Sequence, residues 1–73
     1  MYILEMIDTQ DAVRTGVHPI AVAVSKDVDL LKTWQRRWTL DDWTFSGSDE
    51  WKCWTTGPKY NLYWRIAPIT FVE

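Results

Sequence analysis

Six tryptophans occur in a chain of 73 residues that cannot cross-link itself. Cys53 is the only cysteine, so an intrachain disulfide is impossible. His18 is the only histidine, and one cysteine with one histidine cannot supply the four ligands of a structural zinc site. A chain this short buries only about 60% of the surface of its unfolded form. We therefore predict one domain over residues 1–73, stabilised by an aromatic core, by self-association or by both.

The charge balance and the hydropathy pattern exclude several classes of partner. Eight Lys and Arg against ten Asp and Glu give a net charge of −2, so the basic footprint of a nucleic-acid-binding protein is absent. No apolar run approaches the roughly 18 residues of a membrane span, and the start MYILEMIDTQD lacks the basic region of a signal peptide. A single free thiol is typical of a reducing compartment. We expect a cytoplasmic protein that does not enter a membrane.

Two strands are predicted in the first third of the chain. Residues 2–7 are rich in β-branched and aromatic side chains, and the polar stretch 8–16 predicts a loop after them. Residues 20–24, IAVAV, follow Pro19, which is tolerated at the first position of a strand. A continuous apolar run of this kind is typical of a central strand that is buried on both faces.

One amphipathic helix is predicted over about residues 26–38. Ser25 is a suitable N-cap, and Arg36 and Arg37 suit the last turn, where the helix dipole favours cations. Apolar residues recur at spacings of three and four. These residues are Val28, Leu31, Trp34 and Trp38. The spacing predicts that both tryptophans face the sheet and that the arginines between them point away.

Three further strands are predicted after the helix. Residues 42–46 and 50–56 form a hairpin with Gly47 in its turn, and the stretch 57–61 is the next turn. Residues 62–73 form the last strand, in which Pro68 predicts a bulge or an edge location. The fold class is therefore α+β, in the order β-β-α-β-β-β. A single helix packs on one face of a mostly antiparallel sheet of four or five strands.

Apolar side chains occur on both faces of the C-terminal strands. Alternation places Leu62, Trp64 and Ile66 on one face of the last strand, and Tyr63, Arg65 and Ala67 on the other. In the preceding strand, Trp51 and Cys53 share a face and Trp54 lies opposite. One short helix covers only one face, so these rings form either a second small core or an interface with another chain. Both remain open, and the missing second layer favours the interface.

Tryptophan, tyrosine and arginine are the residue types enriched at interface hot spots. The candidate binding residues are Trp54, Tyr60, Tyr63 and Arg65. The expected partner is another protein or a second copy of the chain, since homodimers are the commonest oligomers. The alternative is single-stranded nucleic acid stacked on the same aromatic rings, but no net positive field covers them.

Motifs for catalysis or cofactor binding are missing. The sequence contains no Gly-rich phosphate loop and no nucleophile elbow. Cys53 and His18 come from distant segments, and Cys53 suits a small buried position in a strand. Asp41 and Asp42 suit a turn, where Asp42 can pair with a surface cation. We therefore expect no enzyme activity, no cofactor and no metal.

The layout resembles the short α+β accessory proteins of phages and prophages. The resemblance is carried by the opening strand YILEMID, the strand-to-helix step PIAVAVSKD and the aromatic close YWRIAPITFVE. It covers most of the chain but includes no motif that names a family. The resemblance implies a non-catalytic protein that acts by occluding a host or defence protein.

Overall fold

The closing strand of the chain is the centre of a five-stranded antiparallel sheet. The computed structural model describes residues 1–8, 19–47, 50–56, 61–70 and 72. The elements within them are β1 (Tyr2–Asp8), β2 (Ile20–Ser25), α1 (Val28–Thr39), β3 (Thr44–Phe45), β4 (Trp51–Thr56) and β5 (Asn61–Pro68). The strands are ordered β2-β1-β5-β4-β3. With α1 on one face of this sheet, the predicted α+β class and element order are confirmed.

The core lies between α1 and one face of the sheet. It consists of Leu4, Leu31, Cys53, Trp64 and Ile66. The register explains why the strand residues meet, because Leu4 is opposite Ile66, and Trp64 lies between Met6 and Cys53 on its two neighbouring strands. The predicted burial of Cys53 is confirmed. The Lys32 ammonium lies 3.7 Å from the centre of the Trp51 ring, which ties α1 to β4.

The N-cap of α1 is Asp27, not Ser25 as predicted. The Asp27 carboxylate accepts the backbone N–H of Asp29 at 2.9 Å, which satisfies one of the free donors of the first turn. The Ser25 hydroxyl accepts the backbone N–H of Asp27 at 3.0 Å, so it supports the cap from one position further back. Arg36 and Arg37 lie in the last turn as expected.

The prediction that both helix tryptophans face the sheet is wrong for Trp38. Leu31 and Gln35 are buried, and Trp34 is half-buried against the core, but the Trp38 side chain is 68% exposed. Gln35 lies about 40° from Leu31 around the helix axis, on the side away from Trp38. Helical spacing shows which residues share a side, whereas the roll of the helix about its axis decides which side meets the sheet.

The run IAVAV forms an edge strand, so its predicted central position is wrong. β2 pairs only with β1 within the described residues. Its Ile20 and Val24 side chains are 54% and 52% exposed. The helix covers only one face of β2, and Val24 lies on the opposite face beside Ile3.

The effect predicted for Pro68 is also wrong. β5 is the central strand, and Pro68 is its last residue, opposite Tyr2. A proline at the end of a strand does not interrupt the hydrogen bonds of the strand interior. Backbone bonding continues beyond it, since the N–H of Ile69 donates to the carbonyl of Met1 at 2.9 Å. The register shift occurs instead between Leu4 and Glu5, where β1 pairs with β2.

The remaining boundaries differ from the predictions at their ends. β3 has two residues rather than five, and its Phe45 ring packs on Trp51 with centroids 4.7 Å apart. β4 agrees with the prediction to within one residue, and β5 is shorter than the predicted strand 62–73. Gly47 has a φ of 84°, as a turn requires. Most of the predicted loop 8–16, most of the turn 57–61, and His18 lie outside the described residues.

In the part of the chain that the structure describes, no helix has the length and apolar character needed to cross a membrane.

Candidate protein-binding surface

The sheet face opposite α1 is covered by none of the described helices and strands. Successive side chains of a strand point to opposite faces, so the neighbours of the core residues lie here. We call this surface the open face. Its residues are Ile3, Glu5, Ile7, Ala21, Val24, Thr44, Glu50, Lys52, Trp54, Tyr63, Arg65 and Ala67. The face assignments predicted from alternation in β4 and β5 are confirmed.

A row of charges crosses the middle of the open face. Register places Lys52, Arg65 and Glu5 side by side on β4, β5 and β1. Arg65 Nη2 donates to Glu5 Oε1 at 2.9 Å, and Arg65 Nη1 lies 3.9 Å from Glu50 Oε1. The side chains of Arg65 and Glu5 are only 29% and 16% exposed, so this pair is partly shielded from solvent. Because water and salt screen a shielded pair less, the attraction between these two charges is stronger than in a fully exposed pair.

An aromatic row lies beside the charged row. Trp54 is opposite Tyr63, and Tyr63 is opposite Ile7 on the next strand. The Trp54 and Tyr63 rings meet edge to face, with centroids 4.1 Å apart and an interplanar angle of 61°. Trp54 is nevertheless 52% exposed. The Lys52 ammonium is 6.0 Å from the centre of the Tyr63 ring.

A smaller apolar row lies on the other side of the charges. Ala67 is opposite Ile3, and Ile3 is opposite Val24 on β2. Val24 is exposed, while Ile3 and Ala67 are half-buried. The open face therefore has apolar groups on both sides of a central ion pair.

Three of the four predicted binding residues come together here. Trp54, Tyr63 and Arg65 share the open face, while Tyr60 lies outside the described residues. Sequence reasoning missed Glu5, the direct partner of Arg65, although the alternation of YILEMID puts Glu5 on the same face as its two neighbouring isoleucines. It did not predict that β1 would pair with β5.

A second exposed apolar surface lies on the helix, on the opposite side of the sheet. Leu30, Trp34 and Trp38 are spaced four residues apart and form a ridge, which we call the helix ridge. The Trp34 and Trp38 centroids are 5.5 Å apart. Leu30 and Trp38 are exposed. The helix ridge lacks the central ion pair of the open face.

Among the described residues outside these surfaces, the titratable side chain with a clearly shifted pKa is the Cys53 thiol. Burial raises the pKa of the Cys53 thiol to about 11, and the carboxylates of Asp41 and Asp42 add to this effect. The thiol therefore stays protonated at neutral pH. Asp42 pairs with Arg36 at 3.5 Å on the surface, as predicted. No cluster of three or more potential metal ligands occurs among the described residues.

Comparison with known proteins found no matching family model, no similar curated protein and no similar solved structure.

Proposed function

We propose that the protein is a small protein-binding module that docks a partner on the open face. The observation that carries the proposal is Trp54, which is half-exposed although its ring packs edge to face on Tyr63. This aromatic pair lies beside the Arg65–Glu5 ion pair, on a sheet face that no described element covers. Tryptophan, tyrosine and arginine are enriched at the energetic centres of protein interfaces. A rigid aromatic pair also loses little side-chain entropy on binding.

The remaining exposure of Trp54 sets the scale of its contribution. A tryptophan buries on the order of 200 Å² in full, so covering the exposed half removes about 100 Å² from water. At roughly 25 cal/mol per Å², this burial contributes about 2.5 kcal/mol. Trp54 is therefore an anchor whose loss should weaken binding strongly.

The charges of the open face favour a protein partner over nucleic acid. Arg65 is engaged by Glu5 and Glu50, which leaves Lys52 as the remaining cation in the described part of this face. Phosphate affinity depends on several uncompensated cations. The sequence gives binding of single-stranded nucleic acid as the alternative. The nuclease treatment in the capture experiment tests it.

We further propose that docking acts by occlusion, as an inhibitor acts on a host or defence protein. The phage-type resemblance of the sequence implies this mode. The free Cys53 favours a reducing compartment, so the proposed partner is cytoplasmic.

The experiment compares two exposed tryptophans on opposite sides of the sheet. The protein, Trp54→Ala and Trp38→Ala are immobilised and exposed to a lysate of the native host, with and without nuclease. We expect a protein that is retained by the wild type and by Trp38→Ala and is lost on Trp54→Ala. Circular dichroism checks that Trp54→Ala is folded.

Each other result contradicts the proposal. Equal retention on Trp54→Ala means that the open face does not bind. Loss on Trp38→Ala alone moves the docking site to the helix ridge. Retention that disappears after nuclease treatment indicates nucleic acid.

A further inference from the structure

We infer that two copies of the chain associate through the edge strand β2 and the helix ridge, and that this dimer leaves both open faces free. The two β2 strands pair antiparallel about a two-fold axis perpendicular to the sheet, so two five-stranded sheets become one sheet of ten strands. The inference does not rest on the proposed function, because it uses a different surface.

β2 is a long, uncharged edge that pairs with no described strand on its outer side. Natural edge strands avoid pairing with other chains by being short or by carrying charges or prolines. The other edge of the sheet is the two-residue β3, whereas the six residues of β2, IAVAVS, contain neither a charge nor a proline. The register shift with β1 adds one residue, Val22, and its side chain packs against the core instead of shielding the outer side. β2 is therefore suited to pairing with another strand.

The helix ridge projects past the same edge. α1 approaches β2 and β1 most closely, so it runs above the outer two strands at this end of the sheet. Lys32 points inward across the sheet, since its ammonium lies on the Trp51 ring of β4. Trp34 follows two residues later, about 160° away around the helix axis, so it points outward over β2. Leu30 and Trp38 lie within about 40° of Trp34, so the whole ridge overhangs the edge.

Strand pairing brings the two helices into contact. Paired strands are about 4.8 Å apart, and each helix runs above β2 and β1 of its own chain, so the two helix axes are about 10 Å apart. Packed helices have axes about 8–10 Å apart. The two-fold axis makes the helices antiparallel, and Leu30 and Trp38 are each four residues from Trp34. Each Trp38 then meets the second copy's Leu30, and the two Trp34 rings meet near the axis.

The charges beside the helix ridge are complementary in this arrangement. Asp27 caps the N-terminal end of α1. Arg37 lies in the last turn, about 60° from Trp34 around the axis. Antiparallel helices set each Arg37 towards the second copy's Asp27, and the dipoles of the two helices are also opposed.

The other charges at the ends of α1 do not oppose this contact. Asp29 lies about 140° from the centre of the helix ridge, on the far side of the helix. Asp42 pairs with Arg36, and Asp41 has a buried Oδ2, so both carboxylates are engaged by their own chain. Lys26 precedes the helix, at the end that meets these two carboxylates of the second copy. Among the described residues, the contact therefore brings no unpaired like charges together.

Two truncations of exposed tryptophans test the helix ridge. Trp38→Ala removes the ring that meets the second copy's Leu30, and Trp54→Ala is the matched control, since Trp54 is also exposed but lies on the open face. Sedimentation equilibrium over a wide range of concentration measures the dimer dissociation constant, and circular dichroism checks that each variant is folded. We expect the wild type and Trp54→Ala to form equally stable dimers. Trp38→Ala should have a dissociation constant raised roughly tenfold or more.

A lysine on the edge tests strand pairing. Val24→Lys places a charge of the kind that protects natural edge strands at an exposed position of β2, and Val24→Thr is the uncharged control of similar shape. We expect Val24→Lys to raise the dissociation constant roughly tenfold or more and Val24→Thr to dimerise as the wild type does. Amide hydrogen exchange in β2 should be slower above the dissociation constant than below it, because pairing gives the outward N–H groups a partner.

Three results overturn the inference. The first is a wild type that stays monomeric. The second is an equal dissociation constant for Trp38→Ala and Trp54→Ala, which places the dimer contact on another surface. The third is a dimer that tolerates Val24→Lys or whose β2 amides exchange as fast as those of the monomer, since its edge strands are then not paired. None of these results changes the capture expected of an immobilised chain, which uses only its own open face, so the proposed function is tested separately.

Discussion

Leu40 ends helix α1 in a backbone conformation that favours glycine. Its φ and ψ are 60° and 17°, its N–H donates to the Arg36 carbonyl at 3.0 Å, and its side chain is 85% exposed. A left-handed conformation costs a non-glycine residue about 1–2 kcal/mol, and little packing is lost with this side chain. We expect Leu40→Gly to raise the free energy of unfolding by about 1 kcal/mol, after the greater entropy of glycine in the unfolded chain is subtracted. Urea denaturation measures the change.

Leu40→Ala separates backbone strain from the removal of exposed apolar surface. Alanine keeps the strain, so we expect its stability to stay within about 0.5 kcal/mol of the wild type. An equal gain for alanine and glycine would mean that the left-handed conformation is not the cause. The sequence did not predict this cap, because leucine is not a residue type associated with helix ends.

At the scale of the helix, the roll of α1 places Gln35 in the core. Its side chain is fully buried, its amide nitrogen donates to the Thr39 hydroxyl, and its Oε1 has no partner among the described residues. A buried acceptor without a partner costs about 1–3 kcal/mol. Methionine has a similar length and no strong polar atom. We expect Gln35→Met to raise the free energy of unfolding by about 1 kcal/mol, as measured by thermal or urea denaturation.

Gln35→Ala is the control for the packing of this position. It removes the same polar group but leaves a cavity, so we expect it to lower the free energy of unfolding by about 2 kcal/mol. A loss of stability in Gln35→Met would show instead that Oε1 has a hydrogen-bond partner and that the polar group is needed.

The elements differ in how far the sequence determined their placement. Because side chains alternate along a strand, only two assignments of its residues to the core face are possible. One buried residue such as Trp64 decides between them for β5. A helix can roll through any angle, so the same apolar stripe was compatible with Trp38 inside or outside. The apolar run of β2 was equally compatible with two positions in the sheet. One is a central strand covered on both faces, and the other is an edge strand that the helix covers on one face.

At the scale of the whole molecule, strand order decides what the open face contains. The sequence predicted that one helix would cover only one face of the sheet, and it gave Trp54, Tyr63 and Arg65 as candidates for a binding patch on the other face, with a second small core as the alternative. The pairing of β1 with β5 joins residues 60 positions apart, Glu5 and Arg65, and no local pattern predicts such a contact. The row of charges across the open face therefore required the sheet topology.

The stability of the whole domain should fall at alkaline pH because the buried Cys53 thiol resists ionisation. Its pKa is about 11 in the folded chain against 9.0 for an unperturbed thiol, mainly through burial. Between these values the folded state binds more protons than the unfolded state, so the stabilisation is complete below pH 9 and is lost as pH rises towards 11. Two units correspond to roughly 2–3 kcal/mol. Between pH 8 and 11, we expect the free energy of unfolding of the wild type to fall by roughly 2–3 kcal/mol more than that of Cys53→Ala, as measured by urea denaturation. All other ionisable groups are the same in the two proteins, so their contributions cancel in the comparison, and parallel profiles would show that the thiol is not desolvated.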